Sequence, residues 1–251
     1  MSWLSRIFSK SHNESNVTPL NLAWLKSDMH SHFLPGVDDG ARTMEESLAM
    51  LAKMEQFGYQ KCILTSHIKA GIFPNTEETL RAVFLQLQVA SANHGLTLEL
   101  ELGAEYFLDD YFMNLLDNQA LLCFGKERFV LVEFSFTNPP VYEEEAFAKI
   151  KAKGYTPILA HFERYIYFHG SMEAAYRYRA MGVNIQLNLN SLTGHYGPEV
   201  RKQAERMMDE CLVDFVGTDA HRMEHLQLLE ANLSLPYLHG IGQRLIKNQT
   251  L

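Results

Sequence analysis

The sequence predicts an α/β fold of parallel βα units closed into a barrel, with a metal site at the carboxyl ends of the strands. Three observations carry this prediction. Seven short apolar runs of strand type alternate with segments of helical period, the pattern of βα repeats. Six of the seven runs end in His, Asp or Glu, and in a parallel barrel those ends converge on one face. An apolar fraction of 47% with 21% charged residues suits a packed core, and 251 residues fit one large α/β domain.

The opening strand carries His30 and His32 within the stretch Asp28 to Gly40. Residues two apart in a strand point the same way, so both imidazoles share a face. Pro35, Gly36 and Gly40 then force a tight turn that swings Asp38 and Asp39 back towards the strand end. Thr43 and Glu46 form a capping box for a helix with Met44, Leu48, Leu51 and Phe57 at helical spacing, stopped by Gly58. Lys61 to His67 is a short buried strand ending in histidine. Asn75 and Glu78 read as a second capping box, ahead of an apolar stripe of Leu80, Val83, Phe84, Leu87 and Ala90 closed by Gly95.

Thr97 to Phe107 reads as the third strand, reaching Glu105, and Phe129 to Phe136 as the fourth, with Glu133. A helix over 143–153 leads to the fifth, Pro157 to His161. A helix over 172–181 leads to the sixth, Val183 to Asn190. A helix over 198–211 leads to the seventh, Asp214 to His221, where Asp219 and His221 repeat the two-apart spacing of His30 and His32. One or two helices, broken near Pro236 and Gly240, complete a single domain over 21–251. Residues 1–20 read as a tail or a short amphipathic helix with a linker. Trp3, Leu4, Ile7 and Phe8 fall on one face there, open to peripheral membrane contact through residues 1–10.

Charge and cysteines narrow the function. A net charge of −8 argues against non-specific nucleic-acid binding, which needs a basic stripe, and leaves an anionic substrate dependent on bound cations. Cys62, Cys123 and Cys211 are odd in number and widely spaced, so a reducing cytoplasm is the simplest compartment. No apolar run is long enough to span a membrane. A cysteine phosphatase is excluded, because its C-x5-R loop is absent: Cys123 has Arg128 after only four intervening residues.

The strand-end residues His30, His32, Asp39, His67, Glu105, Glu133, His161, Asp219 and His221 exceed the three protein ligands that one catalytic ion usually takes. A mixed imidazole and carboxylate set without thiolate suits Mn²⁺, Fe²⁺ or Zn²⁺, in two or three ions that share a bridging carboxylate. Such clusters activate water and clamp phosphate oxygens, which points to phosphomonoester hydrolysis.

These residues, in the contexts His30-Ser-His32, Thr-Ser-His67, Gly-Ala-Glu105, Glu133-Phe, His161-Phe-Glu-Arg164-Tyr165 and Asp219-Ala-His221, resemble the polymerase and histidinol phosphatase (PHP) superfamily. Within it they most resemble the bacterial manganese-dependent tyrosine-protein phosphatases of capsule and exopolysaccharide systems. The resemblance runs from about Asp28 to the C-terminus. It implies a distorted seven-stranded TIM-like barrel with three divalent ions, Mn²⁺ foremost and Fe²⁺, Zn²⁺ or Mg²⁺ compatible. His30, His32, Glu105 and Asp219 would hold the first ion. Glu105 would bridge to a second, held with Glu133 and His161, and Asp39, His67 and His221 would hold the third.

The implied substrate is a phosphotyrosyl protein, such as the tail of a bacterial tyrosine autokinase of polysaccharide synthesis or export. Arg164 would bind the phosphoryl group. The chain departs from the family at Phe162, where Pro is usual, and at Leu226, near where a second arginine is usual. Arg222 is the nearest candidate for that role and Arg42 another. The competing readings are a histidinol phosphatase or a nuclease-like phosphodiesterase of the same superfamily, and a non-catalytic metal-binding partner protein.

Overall fold

Strand and helix alternate along the chain, and every strand pairing is parallel. The computed structural model describes residues 19–118 and 120–251. The amphipathic segment expected over 1–10, with its membrane contact, lies outside the described residues. The first half contains β1 (Ser27–Ser31), α1 (Met44–Gln56), β2 (Lys61–Leu64), β3 (His67–Ile68), α2 (Glu77–Asn93), β4 (Glu99–Leu102), β5 (Glu105–Phe107) and α3 (Asp110–Asn118). The second half contains β6 (Phe129–Glu133), α4 (Glu143–Ala152), β7 (Thr156–Leu159), α5 (Glu173–Ala180), β8 (Asn184–Asn188), α6 (Pro198–Asp209) and β9 (Phe215–Gly217). Helices α7 (Met223–Asn232) and α8 (Pro236–Ile241) follow. Among the described residues no helix is long and apolar enough to cross a membrane.

Among the described residues the strands are nine rather than the seven expected. They form a three-stranded sheet, β1-β2-β4, and a six-stranded sheet, β3-β5-β6-β7-β8-β9. The difference arises where the sequence reads two unbroken strands, Lys61 to His67 and Thr97 to Phe107. Both leave regular pairing together, at Thr65–Ser66 and at Gly103–Ala104. Backbone bonds carry the chain across the break, from Gly103 N–H to Leu64 O and from Glu105 N–H to the carbonyls of Thr65 and Ser66. A side chain at 103 is excluded, because its Cβ would lie 2.8 Å from the Phe124 ring. At the far edge, β1 and the end of β9 meet through a Ser31–Ala220 bridge and a bond from Asp219 N–H to His30 O (2.8 Å).

Alternation along the strands separates two cores. Val130 and Val132 of β6 face the helices, while Phe129 and Leu131 join Met29, Ile63, Phe124, Ile158, Ala160 and Phe215 in a smaller cluster inside the curled sheets. Continuing the same period past the inner cluster gives Glu133 on β6 and Asp219 just beyond Phe215 and Gly217. The apolar plug and the polar site above it thus use one face of the same strands.

Two local expectations change. Thr76, not Asn75, caps α2, with Thr79 completing the capping box. Asn75 instead donates to the carbonyls of Val37 and His67, both at 2.8 Å, and ties together the loops after β1 and β3. Helix α3 adds to the expected elements: Phe112 and Leu116, four residues apart, bury one face, and Asp109 caps it through the Phe112 N–H (2.8 Å). Leu20, at the end of the expected linker, is buried and donates its N–H to Leu233 O.

Candidate metal centre

The strand ends bring the nine residues flagged by the sequence into one cluster. His30, His32, His67, Glu105, Glu133, His161 and Asp219 are buried, Asp39 is exposed and His221 intermediate. His67 and Glu105 are register partners across β3 and β5, as are Phe107 and Glu133 across β5 and β6. His161 and Asp219 take the left-handed conformation, with φ of 31° and 47°, at the ends of β7 and β9. Non-glycine residues adopt it at a cost of about 1–3 kcal/mol, and here it turns both side chains into the cluster.

Four donor atoms converge most closely. His30 Nε2 lies 3.1 Å from His32 Nε2 and 3.2 Å from Glu105 Oε2; Asp219 Oδ1 is 3.3 Å from each histidine nitrogen. The other ring nitrogens fix the tautomers. Gln186 Oε1 accepts the His161 backbone N–H (2.8 Å), which identifies it as the oxygen, and it lies 3.2 Å from His30 Nδ1. Asp38 Oδ2 accepts from His32 Nδ1 at 2.9 Å. Both Nδ1 atoms therefore carry the proton, and in the neutral rings both Nε2 atoms present bare lone pairs to two carboxylate oxygens. Lone pairs gathered this closely repel one another unless a cation sits among them, and the spacing suits donors bound at about 2.0–2.2 Å to one ion.

The remaining side chains surround this core. Groups able to hold an ion overlap: His32, Asp39, His67 and His221; His30, His161 and Asp219; His30, His32 and Glu105; His67, Glu105 and Glu133. Glu105 belongs to two of them, and its Oε1 also lies 3.0 Å from His161 Nε2. Burial and the neighbouring Glu105 push the Glu133 carboxyl well above its usual range, whereas His30 and His67 outweigh burial and hold Glu105 well below. Burial drives His67 down to about 4. Against burial, Glu105 and Asp219 raise His30 and Asp38 raises His32, so without a cation the cluster holds protons on its central imidazoles; a bound cation would displace them and favour neutral imidazole and ionised carboxylate, the ligand forms of both.

Arg164 closes one side. Its Nη1 donates to Asp219 Oδ2 (2.8 Å), and its guanidinium is sandwiched between the rings of Phe136 (4.3 Å) and Tyr196 (4.2 Å). Asn188 Nδ2 donates to the same Asp219 oxygen (2.8 Å). A cavity of about 180 Å³ lies over the cluster, lined by Arg164, Lys69, Phe73, Phe136 and all the flagged residues except His30 and His32. A second cavity of about 780 Å³ adjoins it at Asp39 and His221 and is lined by Arg42 and Arg222. Arg222 therefore lies beside the cluster and not over it, donating from Nε to His225 Nε2 (3.2 Å), while Arg42 is paired with Glu46 (2.9 Å).

Sequence reasoning passed over Gln186 and Asn188, which orient His30 and Asp219. Their signal was the polar alternation Asn184, Gln186, Asn188 in an otherwise apolar strand. Asp38, which the turn was expected to swing back with Asp39, orients His32 and also accepts the backbone N–H groups of His67 and Gly40 at 3.0 Å.

Comparison with known proteins agrees with this geometry. The family described as "Capsular polysaccharide synthesis, CpsB/CapC" matches residues 26–228. The chain is 29% identical over 235 residues to the tyrosine-protein phosphatase YwqE of Bacillus subtilis, covering 89% of this chain and 92% of that one. It is 28% identical over 202 residues to the tyrosine-protein phosphatase CpsB of Streptococcus pneumoniae, covering 78% and 83%. A crystal structure from the work on YwqE and CpsB, described there as unique metal-dependent tyrosine phosphatases, superposes with a TM-score of 0.75 at 27% identity. That match covers 90% of this chain and 96% of the other.

Proposed function

Because the chain belongs to the CpsB/CapC family of capsular polysaccharide synthesis, we propose that it is a metal-dependent phosphatase that hydrolyses phosphotyrosine on proteins. The observation that carries this reading is that His30 Nε2 and His32 Nε2 each lie within 3.3 Å of both Glu105 Oε2 and Asp219 Oδ1, with Arg164 on the other Asp219 oxygen. We assign three divalent ions, Mn²⁺ foremost, to the nine residues: His30, His32, Glu105 and Asp219 for one, Glu105, Glu133 and His161 for another, and Asp39, His67 and His221 for the third. When bound, such ions lower the pKa of water and neutralise phosphoryl charge. The protein's own part is orientation. Asp38 and Gln186 hold the His32 and His30 tautomers, Asn188 and Arg164 fix Asp219, and the free edge of the Arg164 guanidinium takes phosphoryl oxygens by a planar two-point contact.

We assign Arg222, in the larger adjoining cavity, to the substrate beyond the phosphoryl group. The leaving phenolate, with a pKa near 10, needs less acid assistance than an alkoxide. Residues 21–251 are read as one PHP-type domain whose nine strands act as seven rungs of a distorted barrel, β2 with β3 and β4 with β5 each counting once. The free state of Cys62, Cys123 and Cys211 supports a cytoplasmic setting, and a tyrosine autokinase tail is the substrate class proposed.

The test is turnover of a phosphotyrosyl peptide, histidinol phosphate and an oligonucleotide before and after chelation. The expected outcome is preference for the peptide, loss on chelation, recovery best with Mn²⁺ and insensitivity to thiol alkylation. Activity that survives complete metal removal, or that follows the cysteines, would overturn the reading.

A further inference from the structure

Two cations line the cavity over the cluster, Arg164 and Lys69. Lys69 follows β3, whereas Arg164 follows β7, three strands away in the sheet order, so the two approach from different walls. The Lys69 backbone is fixed by paired bonds with Phe73, N–H to O in both directions at 2.9 Å, and the Phe73 ring stacks on His67 at 5.2 Å. The Lys69 ammonium lies 3.7 Å from the centre of the Phe107 ring. Among the described residues no carboxylate lies within 4.0 Å of it. A cation held by aromatic packing, beside a cavity and without an ion-pair partner, keeps its charge available to an incoming anion.

The other two cations near the site are differently engaged: Arg42 with Glu46, and Arg222 with His225, both in the adjoining cavity. We infer that Lys69 binds a non-bridging oxygen of the phosphoryl group from a different wall than Arg164, as the second protein cation of the phosphate site. This inference rests on the phosphatase reading and adds a residue to it.

The experiment titrates inorganic phosphate into the Mn²⁺-loaded full chain and measures kcat/KM on a series of aryl phosphates, for wild type, Lys69→Met and Lys69→Arg. Metal content and melting temperature are followed for each. In Lys69→Met, phosphate affinity should fall at least about tenfold, the scale of a lost charged hydrogen bond. Its kcat/KM should fall about 10²-fold by an equal factor across the series, as when a preorganised charge contact is removed. Metal content should be unchanged, and Lys69→Arg should recover most of the affinity. Phosphate affinity within twofold of wild type in Lys69→Met overturns the inference while leaving the phosphatase reading intact. A loss that grows with leaving-group pKa also overturns it, since Lys69 would then serve the departing oxygen. Lost metal in Lys69→Met and Lys69→Arg alike would make the residue structural and end the proposal. Absence of peptide hydrolysis by the wild type removes the phosphatase reading and this inference with it, whereas absence of phosphate binding by a wild type that hydrolyses the peptide overturns the inference alone.

Discussion

Arg164 meets both the site and the fold, and its two roles can be separated. Its ion pair with Asp219 is largely buried, so removing it strands a carboxylate, but Asn188 still donates to the same oxygen. Metal binding should therefore survive Arg164→Lys and Arg164→Ala. An ammonium cannot reproduce the planar fork, so both variants should lose about 10²–10³ in kcat/KM on a phosphotyrosyl peptide, by analogy with lost oxyanion donors. Near-wild-type turnover with metal retained would remove Arg164 from the chemistry. At this scale the sequence was legible wherever residue type declares a ligand. His30 with His32, and Asp219 with His221, stood out by type and spacing. Gln186 did not, because an amide binds no metal strongly and its work, accepting from His30 and His161 at once, depends on strands far apart in sequence. Lys69 was equally silent, since a lysine two residues after His67 looks like any loop cation until the cavity is seen.

The elements succeed or fail as supports for that geometry. The turn after β1 returns so tightly that a Cβ at Gly40 would lie 2.1 Å from the His32 carbonyl oxygen and 2.6 Å from the His32 Cβ. Backbone cannot yield cheaply there. Gly40→Ala should cost about 1–3 kcal/mol or more through overpacking, and it should lower metal content by displacing His32. Gly95 offers the contrast: its φ is +75°, yet no atom lies within 4 Å of an added Cβ. Gly95→Ala should cost only backbone strain, on the order of 1 kcal/mol, with metal content unchanged. Calorimetric melting with metal analysis compares the two, and equal metal loss would refute the claim that the turn positions His32. Periodicity revealed α1, α2 and the later βα units because each buries an apolar stripe at regular spacing. It could not reveal the breaks at Thr65–Ser66 and Gly103–Ala104, which reflect pairing between distant segments and a close approach to Phe124. Helix α3 carries the same kind of signal, Phe112 and Leu116 four residues apart behind the capping Asp109, in a segment of only nine residues.

For the whole molecule, a chain of net charge −8 gathers carboxylates and imidazoles at one mouth and buries further carboxyls beneath and beside them. Six of seven parallel runs ending in His, Asp or Glu were enough to foresee that convergence, but which carboxyls take no part in it depends on burial alone. Glu163 is such a group. It is buried, accepts from Ser191 Oγ (2.6 Å) and Asn188 N–H (3.0 Å), and burial raises its carboxyl from 4.5 to about 7, against the pull of those bonds and of Arg164. The folded state thus holds this proton more tightly than the unfolded chain does. Its contribution to stability is complete below about pH 4.5 and is lost as pH rises through about 7, with a size on the order of a few kcal/mol. Asp28, raised by burial to about 6, acts with the same sign. Glutamine reproduces the neutral form and can still accept from Ser191 and Asn188 through its oxygen. In the chelated protein, Glu163→Gln should match wild type in stability near pH 5 and exceed it increasingly towards pH 8. Urea unfolding at several pH values measures this difference, and a gap that stays constant between pH 5 and 8 would show that Glu163 is ionised throughout, with its charge met by Arg164 in the folded state.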